Sequence, residues 1–182
     1  GDLWEDWNGN VNFPGEGTRE SPYQLETLSH LMGLAESVAA GNDYEGCYFE
    51  LTQSLDLGGI AINRGDWNPI GWYRSRAEMS GEVPTPFRGC GNTITGLKIA
   101  GELDGKTNLG LFGVIDGGSV ENLEIQCDQV RGLDQVGILA GAVKNGAVIR
   151  NVRVSGYVYA RHNAGGIAAM LCGSGKGTLA GT

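Results

Sequence analysis

The stretch GLFGVI at residues 110–115 decides how this chain folds, because close copies of it return at a fixed spacing. The copies are ILAGAV (138–143) and GIAAML (166–171), each about 28 residues after the one before. A second apolar unit recurs between them, and its copies are ITGLKI (94–99), VENLEI (120–125) and IRNVRV (149–154). Each unit is too short to bury its own apolar side, whereas stacked units share one continuous core. The sequence therefore predicts a solenoid.

Composition and period favour strands over helices as the repeating element. Apolar and polar residues alternate within LEI (123–125) and VRV (152–154), as expected for a strand with one inward face. Glycine supplies 32 of the 182 residues, and a coiled β-chain uses such residues at its bends. The prediction is a parallel β-helix of about five to six coils, right-handed by the usual chirality of parallel crossovers. A leucine-rich repeat is the alternative, but the copies lack its helical segment and its L-x-x-L-x-L-x-x-N order.

Equivalent positions of the repeats are predicted to stack as two inward columns. The first column contains Leu97, Leu123 and Val152, and the second contains Leu111, Leu139 and Ile167. A shared bend is predicted immediately before the first column, at Gly96, Asn122 and Asn151. Glycine and asparagine adopt the left-handed backbone region at the lowest cost, so we expect that conformation there.

The N-terminal third contains one amphipathic helix, predicted over residues 27–41. Its apolar stripe has helical spacing and consists of Leu28, Leu31, Met32, Ala35, Val38 and Ala39. Thr27 is the predicted N-cap and Gly41 the predicted residue after the C-cap. We expect this helix to cover the open end of the solenoid core, which otherwise invites aggregation.

One domain is predicted over residues 1–182. It consists of an N-terminal segment with the capping helix (1–43) and the β-helix (44–182), which carries a loop-rich insertion at 60–86. The formal net charge of −8 and the scattered basic residues argue against a nucleic-acid partner. The sequence contains no run of 18 apolar residues, so no transmembrane helix is predicted. No signal-peptide pattern is recognisable, and the oligomeric state stays open.

Cysteine and histidine usage predicts no metal site and no cofactor. The four cysteines are Cys47, Cys90, Cys127 and Cys172. They form no C-x-x-C pair, so neither a zinc ribbon nor a redox motif is indicated. Cys47 and Cys127 continue the apolar alternation of their strands and are predicted as small inward core residues with free thiols, disulfides being the alternative. His30 is predicted as a solvent-facing residue of the first helical turn.

One group of charged residues and one glycine-rich segment are candidates for catalysis, but neither has the pattern that catalysis needs, so no catalytic residue is predicted. Asp128, Arg131 and Asp134 fall close together in one coil. The next coil is predicted to bring Tyr157, Ala160 and Arg161 to that region, with no acidic partner. Lyase or hydrolase chemistry needs convergent carboxylates, or an acidic metal cluster with a base, on one face. The segment GSGKGT (173–178) lacks the first glycine of a P-loop and the Ser or Thr after its lysine.

The aromatic residues of the insertion give the sequence its candidate ligand contacts. Trp67 is predicted as a packed anchor rather than a ligand platform. Trp72 and Tyr73 lie on the protruding part of the insertion, where aromatic rings stack on a sugar or a protein partner. They are the predicted ligand-binding residues.

Five motifs occur in a fixed order along the chain. They are GEGTRESPYQLET (15–27), FELTQSLDL (49–57), WNPIG (67–71), FRGCGNTITGLKI (87–99) and GLFG (110–113). The series resembles bacterial surface proteins that carry GLUG repeats, and it covers nearly the whole chain after residue 15. The chain departs from that pattern at Arg88, Cys90 and Asn92 in the glycine-rich turn, and at Gln53-Ser54.

The resemblance implies a right-handed β-helix located outside the cell or at the bacterial surface, of the kind found in adhesins and immunoglobulin A peptidases. The zinc peptidase domain of the latter is not present in this sequence, which has no H-E-x-x-H motif. The expected function is therefore non-catalytic adhesion or recognition of a host or surface glycan or protein, or a spacer role in a larger protein. The alternative is a carbohydrate-active β-helix that binds or cleaves a polysaccharide.

Overall fold

A computed structural model describes residues 12–42, 44, 46–58, 67–71, 86–100, 107–172 and 178–180. Within these residues the chain is a solenoid of parallel strands with one short helix, which confirms the predicted fold class. The helix, α1, is Leu28–Ala39. The strands are β1 (Tyr23–Leu25), β2 (Phe49–Leu51), β3 (Leu55–Asp56), β4 (Phe87–Ala100), β5 (Thr107–Leu109), β6 (Phe112–Asp116), β7 (Ser119–Gly132), β8 (Asp134–Val136), β9 (Ala140–Lys144), β10 (Val148–Ala160), β11 (Ala168–Cys172) and β12 (Thr178–Ala180).

Three parallel sheets run along the solenoid. The largest stacks β1, β2, β4, β7, β10 and β12 in that order, with β3 also paired to β4. The second stacks β6, β9 and β11, and the third pairs β5 with β8. Successive passes from β2 to β12 make about four turns, so the predicted number of five to six coils was too high. Each pass adds one layer of about 4.8 Å to the stack.

The first predicted inward column holds for two of its three members. Val152 lies opposite Leu123, and both are buried, as is Leu97. Leu97, however, lies opposite Cys127, and the residue opposite Leu123 is Asn92. The register shifts because β4 has four steps from Arg88 to Asn92 where β7 has two. The placement of Leu97 in this column was therefore wrong, although its burial was predicted correctly.

The predicted bend is confirmed at both asparagines. Asn122 has φ 55° and Asn151 has φ 52°, and the Asn151 Nδ2 donates a hydrogen bond to the Asn122 Oδ1 at 2.8 Å. Gly96 also has positive φ (72°), but it sits at the following bend, which Gly156 forms in β10, two layers further on. The equivalent of Asn122 in β4 is formed by residues 89–91. The assignment of Gly96 to the asparagine bend was thus wrong by one bend.

We expect Asn122→Ala to lower the free energy of unfolding by about 1–2 kcal/mol. The substitution removes the hydrogen bond with Asn151 and places an alanine Cβ in the left-handed region. Asn122→Gly loses the same hydrogen bond, but glycine adopts the left-handed backbone conformation without strain. Its free energy of unfolding should therefore fall by less than that of Asn122→Ala. Urea unfolding of the three proteins measures the difference. A larger loss for the glycine variant would contradict the backbone argument.

The second predicted column is confirmed where GLFGVI and its copies stack. Phe112 lies opposite Ala140, and Ala140 lies opposite Ala168 in β11, so the spacing of 28 is real. Leu111 and Leu139 are fully buried, whereas Ile167 is half-buried and packs against the core.

Trp67 is a packed anchor, as predicted. Its indole is 2% exposed. The Nε1 donates a hydrogen bond to the Leu111 backbone oxygen at 3.0 Å, which satisfies the polar end of the ring inside the core. The WNPIG segment is thereby held against the coil that contains GLFGVI.

Helix α1 is capped at the predicted residues. Thr27 has extended backbone angles, and its hydroxyl accepts the His30 N–H at 3.1 Å. Gly41 has φ 104°, and its N–H donates to the Val38 carbonyl oxygen. The N–H of the next residue, Asn42, donates to the Ser37 carbonyl oxygen. These two bonds form a Schellman motif, which requires a left-handed residue at Gly41.

His30 is half-buried, so its prediction as a solvent-facing residue was wrong. Its Nδ1 accepts the Glu26 backbone N–H at 3.0 Å, while its own N–H donates to Thr27. The pair of bonds resembles a capping box, except that the His30 side chain accepts from Glu26, the residue before the N-cap, and not from Thr27 itself. The imidazole also meets the Phe13 ring edge-on, with ring centroids 6.1 Å apart.

Apolar and aromatic side chains cover the end of the solenoid core next to β1, the first strand of the stack. The buried side of α1 shares one core with β1 and β2, in the position predicted for a cap. Beside it lies an aromatic cluster whose ring centroids are 5.3–6.4 Å apart, formed by Phe13, Tyr23, Tyr44 and Phe49. Burial raises the pKa of Tyr44, although a hydrogen bond with Ser37 at 2.6 Å opposes that rise.

Candidate ligand-binding face

The ligand contacts predicted from the sequence fall where the structure gives no description. Trp72 and Tyr73 lie outside the described residues, and of the insertion at 60–86 only residues 67–71 and 86 are described. Trp72 and Tyr73 therefore remain predictions.

A different aromatic surface is present on the largest sheet, after the bend that contains Gly96 and Gly156. Three short segments stack there in register, residues 98–100, 129–131 and 157–159. The middle residue of each segment, Ile99, Val130 or Val158, faces the core. Strand alternation turns the flanking residues outward. These six outward residues, named here the tyrosine face, are Lys98, Ala100, Gln129, Arg131, Tyr157 and Tyr159.

Two exposed rings give this face its character. Tyr157 is 53% exposed and Tyr159 is 38% exposed, the largest exposed apolar side chains within the described residues. They stand two residues apart on one strand, so their Cα atoms are separated by about 6.6 Å. The Arg131 Cζ lies 5.3 Å from the Tyr159 ring centroid, in a cation–π contact that lays the guanidinium over the ring.

The charge of the tyrosine face is positive, because Lys98 and Arg131 belong to it and none of its six residues is acidic. A neighbouring column of the same sheet differs. There Glu50, Arg88, Glu121 and Arg150 alternate in sign from layer to layer. Two of these contacts are ion pairs, Arg88 with Glu50 at 3.3 Å and Arg150 with Glu121 at 3.7 Å. That column pairs its charges from layer to layer, whereas the six residues of the tyrosine face include two cations and no carboxylate.

The carboxylates weighed for catalysis do not belong to this face. Asp128 is an exposed residue of a β-bulge, since β7 has two residues where β10 has only Gly156. Asp134 lies in the separate sheet of β5 and β8. Its Oδ1 accepts hydrogen bonds from the Asn163 Nδ2 at 2.8 Å and the Gln135 N–H at 2.9 Å. Of the predicted cluster, only Arg131 contributes to the face.

Polar side chains at the bends hold successive coils together. Three side-chain hydrogen bonds join residues 29 positions apart in the chain, namely Asn122 with Asn151, Asp116 with Asn145, and Asp134 with Asn163. Lys144 adds an ion pair to Asp116 at 3.7 Å. These groups stabilise the stack, which keeps the outward faces in fixed register.

The thiols are partly as predicted. Cys47 and Cys127 are half-buried against the core, and Cys90 is exposed at the surface. Burial raises the pKa of Cys127. Its Sγ donates a hydrogen bond to the Tyr157 carbonyl oxygen at 3.6 Å. Cys127 therefore stays protonated at neutral pH. No cluster of three or more His, Cys, Asp or Glu side chains suited to a metal ion occurs in the described part of the chain.

Sequence reasoning noted Tyr157 but missed the tyrosine face as a unit. A constant spacing fails there, because Leu123 and Val152 are 29 residues apart while Gln129 and Tyr157 are 28 apart. The bulge at Asp128 causes this slip. The available signal was the Y-V-Y alternation at 157–159, in which both rings share the outward phase of a strand.

Comparisons with known proteins give two relatives. The chain is 29% identical over 165 residues to Halomucin of Haloquadratum walsbyi, a match that covers 90% of the chain and 2% of that protein. It is 38% identical over 144 residues to a protein named as a Gly-rich membrane protein of Evansella cellulosilytica, covering 77% of the chain and 15% of that protein. The chain thus spans a small fraction of each relative's length. No family profile and no solved structure matches it.

Within the described residues, no helix is both long and apolar enough to cross a membrane, since α1 has only 12 residues.

Proposed function

We propose that this chain is a non-catalytic β-solenoid module of an exported or cell-surface protein, and that it works in recognition or adhesion. The observation that carries the proposal is the outward tyrosine face on a stack whose polar bend residues bond to the next coil. Such a stack holds a ligand-binding surface rigid at little entropic cost to the ligand complex. The polar groups near the bends are engaged in structure rather than arranged around a reacting atom.

The surface location is supported by the two relatives and by the GLUG-like motif series. One relative carries a mucin name and the other a membrane-protein name. Both match this chain over a small part of their length, as expected if the solenoid serves as a module or spacer in long surface proteins. Fold alone carries no weight here, because one architecture hosts unrelated functions.

An antibody raised against the purified chain tests the location. We expect it to label intact, unpermeabilised cells that express the native protein, and we expect external protease to remove the label. A cytoplasmic marker protein in the same cells must stay unlabelled. Labelling that appears only after permeabilisation would overturn the proposed location.

A turnover assay tests the non-catalytic part. The purified chain is incubated with pectins, host glycans and immunoglobulins, with and without calcium, and the substrate size is followed by gel filtration. We expect no change in substrate size. Cleavage that survives repurification and disappears in Asp128→Asn or Arg131→Gln would favour the alternative, a carbohydrate-active enzyme.

A further inference from the structure

We propose that the tyrosine face binds an anionic polysaccharide, whose sugar rings stack on Tyr157 and Tyr159 and whose acidic groups meet Arg131 and Lys98. This inference rests on the proposed recognition function and gives it a ligand class and a site. It concerns a surface of the solenoid wall, not the insertion that carries Trp72 and Tyr73.

The two rings supply the stacking part of such a site. They are the most exposed large apolar side chains of the described residues, and strand alternation places them side by side. A tyrosine ring offers a flat apolar face and a hydroxyl at its edge, which suits a sugar with apolar C–H groups on one side and hydroxyls around it. The Cα atoms of the two tyrosines are about 6.6 Å apart, which is of the order of the length of one sugar unit. In this proposal each ring therefore stacks on a successive sugar of the polysaccharide.

The two cations of the face favour a ligand with negative charge. The Arg131 guanidinium covers one side of the Tyr159 ring, so in this proposal a sugar stacks on the other side of that ring and its acidic group meets Arg131 at the ring edge. Planar guanidinium matches a carboxylate or a sulfate in a bidentate geometry. Lys98 belongs to the layer below Gln129, which places a second positive charge diagonally across the face, about 7–8 Å from Arg131 at the backbone.

The small number of cations on the tyrosine face favours local contact with one or two acidic sugars over the extended contact that a nucleic acid makes. The whole chain carries a net charge of −8, which repels polyanions at long range. Nucleic-acid grooves use many cations to follow a densely charged backbone. The tyrosine face has two, which suits a chain with one acidic group on each sugar or on alternate sugars.

Isothermal titration with defined polymers tests the proposal. The probes are polygalacturonate for carboxylates, chondroitin sulfate for sulfates, dextran as the neutral polymer, and single-stranded oligodeoxythymidine as the nucleic acid. We expect at least one of the two acidic glycans to bind, with an affinity that falls as salt rises. Binding to dextran or to the oligonucleotide with equal or higher affinity would overturn the proposal, as would no binding to either acidic glycan.

Matched variants locate the site. Tyr157→Ala and Arg131→Gln are each expected to weaken binding about tenfold or more, and Arg131→Gln should also reduce the salt dependence. Arg150→Gln removes the same charge from a different column and should change the affinity by less than about twofold. Equal effects of Arg131→Gln and Arg150→Gln would mean that only net charge matters, and the tyrosine face would not be the site.

Circular dichroism and thermal unfolding of each variant keep the test clear of folding defects. Tyr157 is more than half exposed, so Tyr157→Ala should fold normally and decides the outcome if Arg131→Gln is unstable. Unchanged glycan affinity in folded Tyr157→Ala would refute the site. Surface labelling of cells is independent of these measurements, so the proposed location can hold even where this ligand fails.

Discussion

Replacing Gly141 with alanine is expected to lower the free energy of unfolding by about 3–5 kcal/mol, a large effect for a single methyl group. A Cβ at this position would stand 2.5 Å from the Asn108 Cα and 2.6 Å from the Gln135 backbone oxygen. Both atoms belong to the backbone of the sheet formed by β5 and β8, so no side-chain rotation relieves the contact. Strands β8 and β9 would have to separate, which opens the core beside Leu139.

Gly166→Ala is the matched control. Nothing lies within 4 Å of a Cβ built on Gly166, and its backbone is not left-handed. We expect this variant to unfold within about 0.5 kcal/mol of the wild type, as surface substitutions do. Urea unfolding with a constant m-value gives both numbers. Similar midpoints for the two variants would show that the coils are not packed as closely as the Gly141 contacts indicate.

The sequence predicted the strands and their stacking because the signals are local and repeat. GLFGVI and its copies keep a spacing of 28, and Phe112, Ala140 and Ala168 do stack. Asn122 and Asn151 were readable as left-handed bends, since few other residues adopt that region cheaply. Caps at Thr27 and Gly41 followed from the same kind of local chemistry.

The errors arose where layers differ in length. β4 carries two extra residues between Arg88 and Asn92, so an alignment by apolar pattern placed Leu97 one bend too early. Apolar residues recur at both bends, and the pattern alone does not distinguish them. His30 was misplaced for another reason. Its side chain turns back to the Glu26 N–H, and this local side-chain hydrogen bond is not encoded in helical periodicity.

The candidate site was less readable than the fold. A ligand face consists of side chains from three layers, here Lys98, Arg131 and Tyr159, that are about 30 residues apart in the sequence. They become neighbours only once the register is known, and the bulge at Asp128 shifts that register by one residue. Aromatic residues in a predicted loop, such as Trp72 and Tyr73, are expected to be exposed whatever the register, whereas a tyrosine in a strand points outward only in one of two phases.

Truncation of the central core leucine, Leu123→Ala, is expected to lower the free energy of unfolding by about 2–5 kcal/mol. Leu123 is 2% exposed and lies opposite Asn92 in one layer and Val152 in the next. Neighbouring layers are fixed by backbone ladders on both sides, so they collapse little into the cavity that the substitution leaves. The loss should therefore fall in the upper half of that range.

Leu133→Ala removes the same atoms from a half-buried residue that stands outside the core cluster. Its expected loss of unfolding free energy is smaller, about 1 kcal/mol, because the Leu133 side chain is already partly exposed and loses fewer core contacts on truncation. Urea unfolding followed by circular dichroism compares the two. Truncation of Leu123 should lower the free energy of unfolding more, because Leu123 is enclosed by one layer above and one below. Leu133 lies between β7 and β8, where the chain leaves the long sheet. Equal losses would mean that the stacked column at Leu123 does not form in solution.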